Sequence, residues 1–437
     1  MIVGMIMLMT FSIVDTFFVS LIGTNELAAI SFTFPVTFTV ISLNIGLGIG
    51  TSAVIGKYLG AGDDSKAKVL ATGSIMLATL LVGILSVFGY FSIGPIFSLM
   101  GAQEELIPLI YDYMSIWYLA GVFLAIPMVG NAVLRASGDT KTPSIIMALG
   151  GAINAILDPI LIFGWLGFPA LGIQGAAIAT CIAWAVCSVW IIYLLAVKRQ
   201  LMEAKILNWQ EFRAAANGVL TIGLPAAGSN MLTPITAAVV TYIVAQYGAE
   251  SVAAWGVGNR LESIASIVVL ALSMSLPPFI SQNFGANQYA RIQASYQLCI
   301  KFVMIWQLII FAILALSSRF IASIFAEEQA VADLITLFLL IVPLGYGLQG
   351  IVILTNSSFN AMHKPMIALW LSIIRLFVCY IPITALGSYW FGLEGLFWGC
   401  VLANVVAAIV SLVWFKTSIS KIQKQSCIDN ADQANSI

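Results

Sequence analysis

A single histidine, His363, stands in this chain of 437 residues, and charged side chains make up only 8% of it. One imidazole leaves almost nothing from which to build a zinc site or a Ser-His or Cys-His catalytic pair. Soluble domains carry about 25% charged residues, so 8% cannot cover a water-facing surface. Cysteine is scarce as well. Five of the six (Cys181, Cys187, Cys299, Cys379 and Cys400) lie in apolar runs, and Cys427 lies near the end. Scattered in this way, they read as small core hydrophobes rather than as a disulfide frame or a metal site. The formal net charge of −1 leaves no electrostatic footprint for nucleic acid. No HExxH, no GxSxG and no flanked pair of intramembrane aspartates is present, so neither an enzyme nor a cofactor is expected.

What fills the chain instead is apolar sequence, 61% of it hydrophobic. Runs able to cross about 30 Å of hydrocarbon as helices fall at 1–22, 26–56, 66–92, 105–136, 142–164, 171–197, 213–246, 250–282, 290–317, 329–360, 365–387 and 392–416. Short polar breaks rich in turn formers separate them, among them GAGDDSK, ASGDTKTP, NFGANQYAR and NAMHKP. Lysine and arginine alternate between the connections. Lys57, Lys66, Lys68, Arg135, Lys141, Lys198, Arg199, Lys205, Arg213, Arg291 and Lys364 fall after even-numbered spans, and Lys416, Lys421 and Lys424 follow the last. The other connections carry Glu26, Glu104, Glu105, Glu250, Glu327, Glu328 and Glu394, with Arg319 as the exception. The positive-inside rule then places even-numbered connections and both termini in the cytoplasm. The fold class read from this is an all-α polytopic membrane protein of twelve transmembrane helices. No cleavable signal is visible, and the polar tail 417–437 is expected to be disordered.

The two halves repeat. GTNELAAIS begins at Gly23 and GAESVAAWG at Gly248, an offset of 225. The same offset joins Gly60-Ala61 to Gly285-Ala286, Lys66 to Arg291, and Asn131 to Asn356; it shortens to 220 at Gly172/Gly392 and Gly175/Gly395. Each repeat has six spans, an even number, so both enter the membrane from the same side. That is a parallel repeat about a pseudo-two-fold axis along the membrane normal, as in secondary transporters. The expected domains are an N-terminal bundle 1–197, a cytoplasmic linker 198–212, a C-terminal bundle 213–416 and the tail. Pro225 in span 7 projects to a position before Met1, so span 1 is expected to start late relative to its partner.

Ionisable residues deep in a bilayer are costly, about 2.5–3.5 kcal/mol for Asp or Arg at a helix centre on insertion scales, and are functional candidates by default. The deep carboxylates are Asp15, Asp158 and Glu262, and the deep cations Arg260, Lys301 and Arg375. The repeat puts Val240 opposite Asp15, and span 11 offers only Arg375 where span 5 has Asp158. A purely architectural aspartate would be expected to recur. In NAILDP, Asn154 and Asp158 stand four apart on one helical face, and Pro159 frees a carbonyl nearby. An isolated carboxylate in a low-dielectric pocket favours its neutral form, and opening the pocket to water restores the charge. Protonation of Asp15 and Asp158 can therefore bias one conformation over another. The alternative is a structural aspartate pinning span 1 to its neighbours. Arg260 and Glu262, two apart, do not face each other along the helix; Lys301 is placed to snorkel to the surface, and Arg375 is positioned to pair with Glu262.

Twelve spans in two parallel repeats, with Asp15 in span 1 and NAILDP in span 5, resemble the multidrug and toxic compound extrusion (MATE) family over essentially the whole chain. GAESVAAWGVGNRLES, SQNFGAN and GNAVLRASGDTKTP are similar to its signatures. Asp15, Tyr113, Asn154 and Asp158 resemble the bacterial DinF-like branch, and the second half lacks the acidic residues of the NorM-like branch. The resemblance implies a monomer in the bacterial inner membrane. It implies export of organic cations or amphipathic drugs by antiport against H⁺, with Na⁺ at Asp15, Asn154 and Asp158 as the alternative. Rocker-switch alternating access is implied too, with Tyr113, Asn154 and Asp158 lining the substrate cavity. In that branch helix 1 bends at a proline, whose place here falls before Met1. A lipid-linked precursor flippase is the rival reading, disfavoured by the lack of a membrane-centre Arg or Lys in the first bundle. A channel has no filter-like segment to support it.

Overall fold

The computed structural model describes residues 2–203, 207–326 and 328–435; Lys205 and Glu327, counted above among the loop charges, lie outside them. Regular structure among the described residues is entirely helical. The first half contains α1 (Ile2–Ser20), α2 (Thr24–Gly60), α3 (Asp64–Phe91), the short α4 (Ile93–Leu99), α5 (Ile107–Ala136), α6 (Lys141–Phe163) and α7 (Ile173–Tyr193), which ends in a π-helical turn, Leu194–Lys198. There follow α8 (Trp209–Ala245), α9 (Ala249–Ala265), α10 (Ile267–Gly285), α11 (Tyr289–Leu316), the short α12 (Ser318–Phe325), α13 (Gln329–Ile341), α14 (Tyr346–Ala361), α15 (Pro365–Ile373) and α16 (Ile381–Asn435).

These account for the twelve expected spans. Ten helices among the described residues are long and apolar enough to cross a membrane. The stretch Pro365–Gln423 holds two of the spans, because its helix breaks at Phe391–Gly392; α1 supplies the remaining one. Span 8 consists of α9 and α10, which part at Ser266. Span 10 consists of α13 and α14 joined by a 3₁₀ turn, Val342–Gly345, where Pro343 has no N–H to continue an α-helical ladder. The tail expected to be disordered instead continues the backbone of α16 as helix to Asn435. Adding a residue to an existing helix costs far less than starting one.

Contacts divide the chain into two compact units, Met1–Ala227 and Gly228–Ile437, with the division inside α8. In the first, α5 packs against α2, α3 and α7, and α1 lies along α6. α2 meets the first half of α8 at Gly46 and Gly50, where an added Cβ would collide with the carbonyls of Gly223 and Val219. This small-xxx-small spacing lets helices close up in lipid, where no hydrophobic effect drives them together. In the second unit α14 packs against α10, α11 and α16. Its core holds two aromatic groups, Trp255 with Phe338 and Phe397, and Tyr296 with Phe359 and Phe415.

The 225-residue repeat extends to the backbone. The Asp63 amide reaches the Tyr58 carbonyl at 2.9 Å, and the Gln288 amide the Asn283 carbonyl at 2.8 Å. The same helix-ending bond joins Asp139 to Leu134 and Lys364 to Phe359. Each turn uses a left-handed residue, Gly62 and Asn287 in the first pair, Gly138 and His363 in the second. The lone histidine is thus the partner of a turn glycine. Gly172 (φ 55°, ψ −132°) and Gly392 (φ 64°, ψ −148°) share a conformation open to glycine alone. The short helices α4 and α12 also begin 225 residues apart.

One connection is pinned by charge. Asp139 accepts hydrogen bonds from the Lys141 and Thr142 amides and the Thr142 hydroxyl, and pairs with Arg199 at 2.7 Å. Burial alone would push this carboxyl up, but the Thr142 hydrogen bonds and the Arg199 charge outweigh it and hold it below the usual range.

Candidate functional site

Two contacts set the register of α1 against α6. A Cβ on Gly4 would meet Ser144 Cα at 3.0 Å, and the rings of Phe18 and Phe163 lie 6.2 Å apart, edge to face. Both helices therefore run in the same direction, and Asp15 falls at the level of Asp158. Asn154 and Asp158 are fully buried, Tyr113 on α5 is 6% exposed, and Thr180 on α7 is 6% exposed. Asp15 interacts electrostatically with Asp158, and both do so with Tyr113. The structure thus brings together Asp15, Tyr113, Asn154 and Asp158, all four expected from the sequence. It adds Thr180, whose hydroxyl accepts a hydrogen bond from Asn154 Nδ2 at 3.2 Å.

The site is a cluster of unspent acceptors. Asp15 Oδ1, Asn154 Oδ1 and both Asp158 oxygens are buried without a well-formed hydrogen bond, though the Asn154 amide stands near enough to Asp158 to interact with it. Pro159 cannot donate to the Ala155 carbonyl, which adds a fifth acceptor on the same helix. The ion pairs among the described residues, Lys66–Asp63 and Arg199–Asp139, lie elsewhere. Buried acceptors are normally satisfied. What suits this group is a proton on a carboxyl, which turns an acceptor into a donor, or a small cation. No group of three or more His, Cys, Asp or Glu that could hold a metal ion is present among the described residues.

The second-half candidates separate. Arg260 is exposed on α9, whereas Glu262 accepts a hydrogen bond from Gln349 Nε2 at 3.0 Å. Glu262 and Arg375 interact electrostatically but form no ion pair within 4 Å. Val240, opposite Asp15 in the repeat, is fully buried in an apolar cluster with Val244, Ala254 and Trp255.

The MatE family model matches residues 1–160 and again residues 225–386, two segments related by the internal repeat. The chain belongs to the MatE family. Its relatives include a protein of Shewanella oneidensis named a FAD transporter, 42% identical over 93% of this chain and 90% of that one. They also include the probable multidrug resistance protein YoeA of Bacillus subtilis, 28% identical over 92% of this chain and 89% of that one. Among solved structures, the Vibrio cholerae MATE transporter VcmN in the bent form superposes with a TM-score of 0.91 at 34% identity, covering 96% of this chain and 95% of that one. As a MatE member the chain is a multi-pass membrane transporter with the family's twelve-helix fold, not an enzyme.

Proposed function

We propose that this transporter exports cationic or amphipathic organic compounds across the bacterial inner membrane in exchange for protons. The observation that carries the proposal is the set of buried acceptors without a well-formed hydrogen bond at Asp15, Asn154 and Asp158 in the first unit. A proton arriving there turns one carboxylate oxygen into a donor for a neighbouring acceptor and removes a buried charge, so the protonated and deprotonated states favour different packings of α1 on α6. Each proton moving inward down a potential of 100 mV supplies about 2.3 kcal/mol, with the pH gradient added. Tyr113 supports a cargo-facing role, because a buried phenol beside two carboxylates presents both an aromatic face and a hydroxyl. Na⁺ is the alternative coupling ion, with the oxygens of Asp15, Asn154, Asp158 and Ala155 as its ligands.

A second reading of the cargo is favoured by the Shewanella oneidensis relative, whose name gives FAD as what it transports. One experiment addresses both. Cells expressing the chain should expel ethidium, Asp15→Asn should abolish that at normal expression, and a protonophore in sodium-free buffer should collapse it. Full efflux by Asp15→Asn refutes the coupling role. Efflux that persists with the protonophore but needs sodium assigns Na⁺. Secretion of FAD without ethidium efflux favours the second reading.

A further inference from the structure

The second unit contains a partly buried polar cluster that the proposed proton coupling does not use. It joins Glu262 on α9, Tyr346 and Gln349 on α14, Cys400 on α16, and Arg375 and Tyr380 in the π-helical turn Ile374–Tyr380 that follows α15. Glu262 interacts electrostatically with Arg375, Tyr346 and Tyr380. The π turn has a purpose here. Residues five apart diverge by about 140° around an α-helix, whereas i→i+5 bonding brings them toward one face. Arg375 and Tyr380, five apart, do interact.

The hydrogen bonding of the cluster is incomplete in one direction. A guanidinium has five donors and no acceptor, and an uncompensated one in a membrane helix is costly. Arg375 Nε is nevertheless buried without an acceptor, and the Tyr346 hydroxyl is buried without a partner. Glu262, the carboxylate that interacts with it, accepts a hydrogen bond from the neutral Gln349 amide at 3.0 Å. In the Asp15–Asp158 cluster of the first unit the unpartnered atoms are acceptors, Asp15 Oδ1, Asn154 Oδ1 and both Asp158 oxygens. An anionic group would be repelled by Asp15 and Asp158 and has a complement at Arg375.

We propose that Arg375, with the hydroxyl of Tyr346, binds a phosphate group carried by the cargo. This rests on the transport reading above and adds a cargo class to it. A guanidinium presents two parallel N–H donors to phosphate oxygens, and the Tyr346 phenol supplies a further donor, while the Tyr380 hydroxyl is engaged with Cys400. Glu262 stands close enough to weaken the bound anion electrostatically. That suits a transporter, whose cargo must also leave.

The test compares binding of riboflavin and riboflavin 5′-phosphate to the purified, detergent-solubilised full chain, read by flavin fluorescence. The two probes differ only in the phosphate. The phosphorylated probe should bind at least tenfold more tightly. Arg375→Gln should erase that preference and leave riboflavin unchanged, Arg375→Lys should keep part of it, and Glu262→Gln should tighten the phosphorylated probe several-fold. Equal affinities in the unaltered chain, or no binding of the phosphorylated probe, overturn the proposal. So does an equal weakening of both probes by Arg375→Gln at an unchanged melting temperature. If Arg375→Gln does not fold, Glu262→Gln decides, and unchanged or weaker binding of the phosphorylated probe refutes the assignment. Ethidium efflux that depends on Asp15 in a chain without phosphate preference refutes this inference alone. A phosphate preference without any efflux refutes the transport reading alone.

Discussion

Thr180 decides which way the Asn154 amide points. Its hydroxyl accepts a hydrogen bond from Nδ2, leaving Oδ1 among the unpartnered acceptors beside Asp158. Thr180→Val keeps the shape and removes that acceptor, so a buried N–H is left unmade at a cost of about 1–3 kcal/mol. The melting temperature of the solubilised protein should fall by several degrees and ethidium efflux should decline, while Thr180→Ser should preserve both. An unchanged Thr180→Val variant would show that the amide is not held in this way. At this scale the sequence was readable wherever a charge stood in an apolar run. Asp15, Asp158 and Glu262 announce themselves, and Asn154 does so through its four-residue spacing from Asp158. Thr180 and Gln349 do not. A lone hydroxyl or amide in an apolar helix satisfies itself on its own backbone as often as not, as Thr51 does on Leu47, and only the fold reveals a partner on another helix. Arg260, by contrast, is exposed on α9 and has no partner among the described residues that its place in the sequence could have named.

Helix ends carry the element-scale difference between the two halves. Asp63 (φ −99°, ψ 71°) caps α3 by accepting the Lys66 amide at 3.1 Å. Gln288, its partner in the repeat, has nearly the same backbone (φ −92°, ψ 63°) and makes no such cap on α11. Its Oε1 takes Arg291 instead, at 3.1 Å. A shorter acid in that conformation should reach the first-turn amides. Gln288→Asp should therefore stabilise by about 1 kcal/mol, seen as a higher melting temperature with transport unaltered; a fall would show that the Arg291 contact matters more. Spans were legible from length and hydropathy alone. Their interruptions at Ser266 and Val342–Gly345, and the helical continuation after Thr417, were not. An apolar run looks the same whether its backbone is straight or broken, and a polar one looks the same in helix or coil.

At the scale of the whole molecule, the loop charges and the repeat make a single topological statement. In a chain with its six cysteines replaced, Ser65→Cys and Ala290→Cys should react with a membrane-impermeant thiol reagent only in inside-out vesicles. Gln103→Cys and Ala249→Cys should react in intact cells. All four positions are exposed, so labelling on the opposite side from that expected would invert or break the assigned topology. The repeat was visible in a few glycines and asparagines, and the turns built on them match bond for bond. What did not repeat is the chemistry: Asp15, Asn154 and Asp158 lie together in the first unit, and the point opposite Asp15 in the second is Val240 in an apolar cluster.

Val240 shows how durable that asymmetry is. A descendant of this chain that acquired aspartate there would place the charge among Val244, Ala254 and Trp255, at a cost of about 2.5–3.5 kcal/mol. It would gain nothing in return until several further substitutions supplied partners for the charge. An aspartate at position 240 is therefore disfavoured for as long as its surroundings stay apolar.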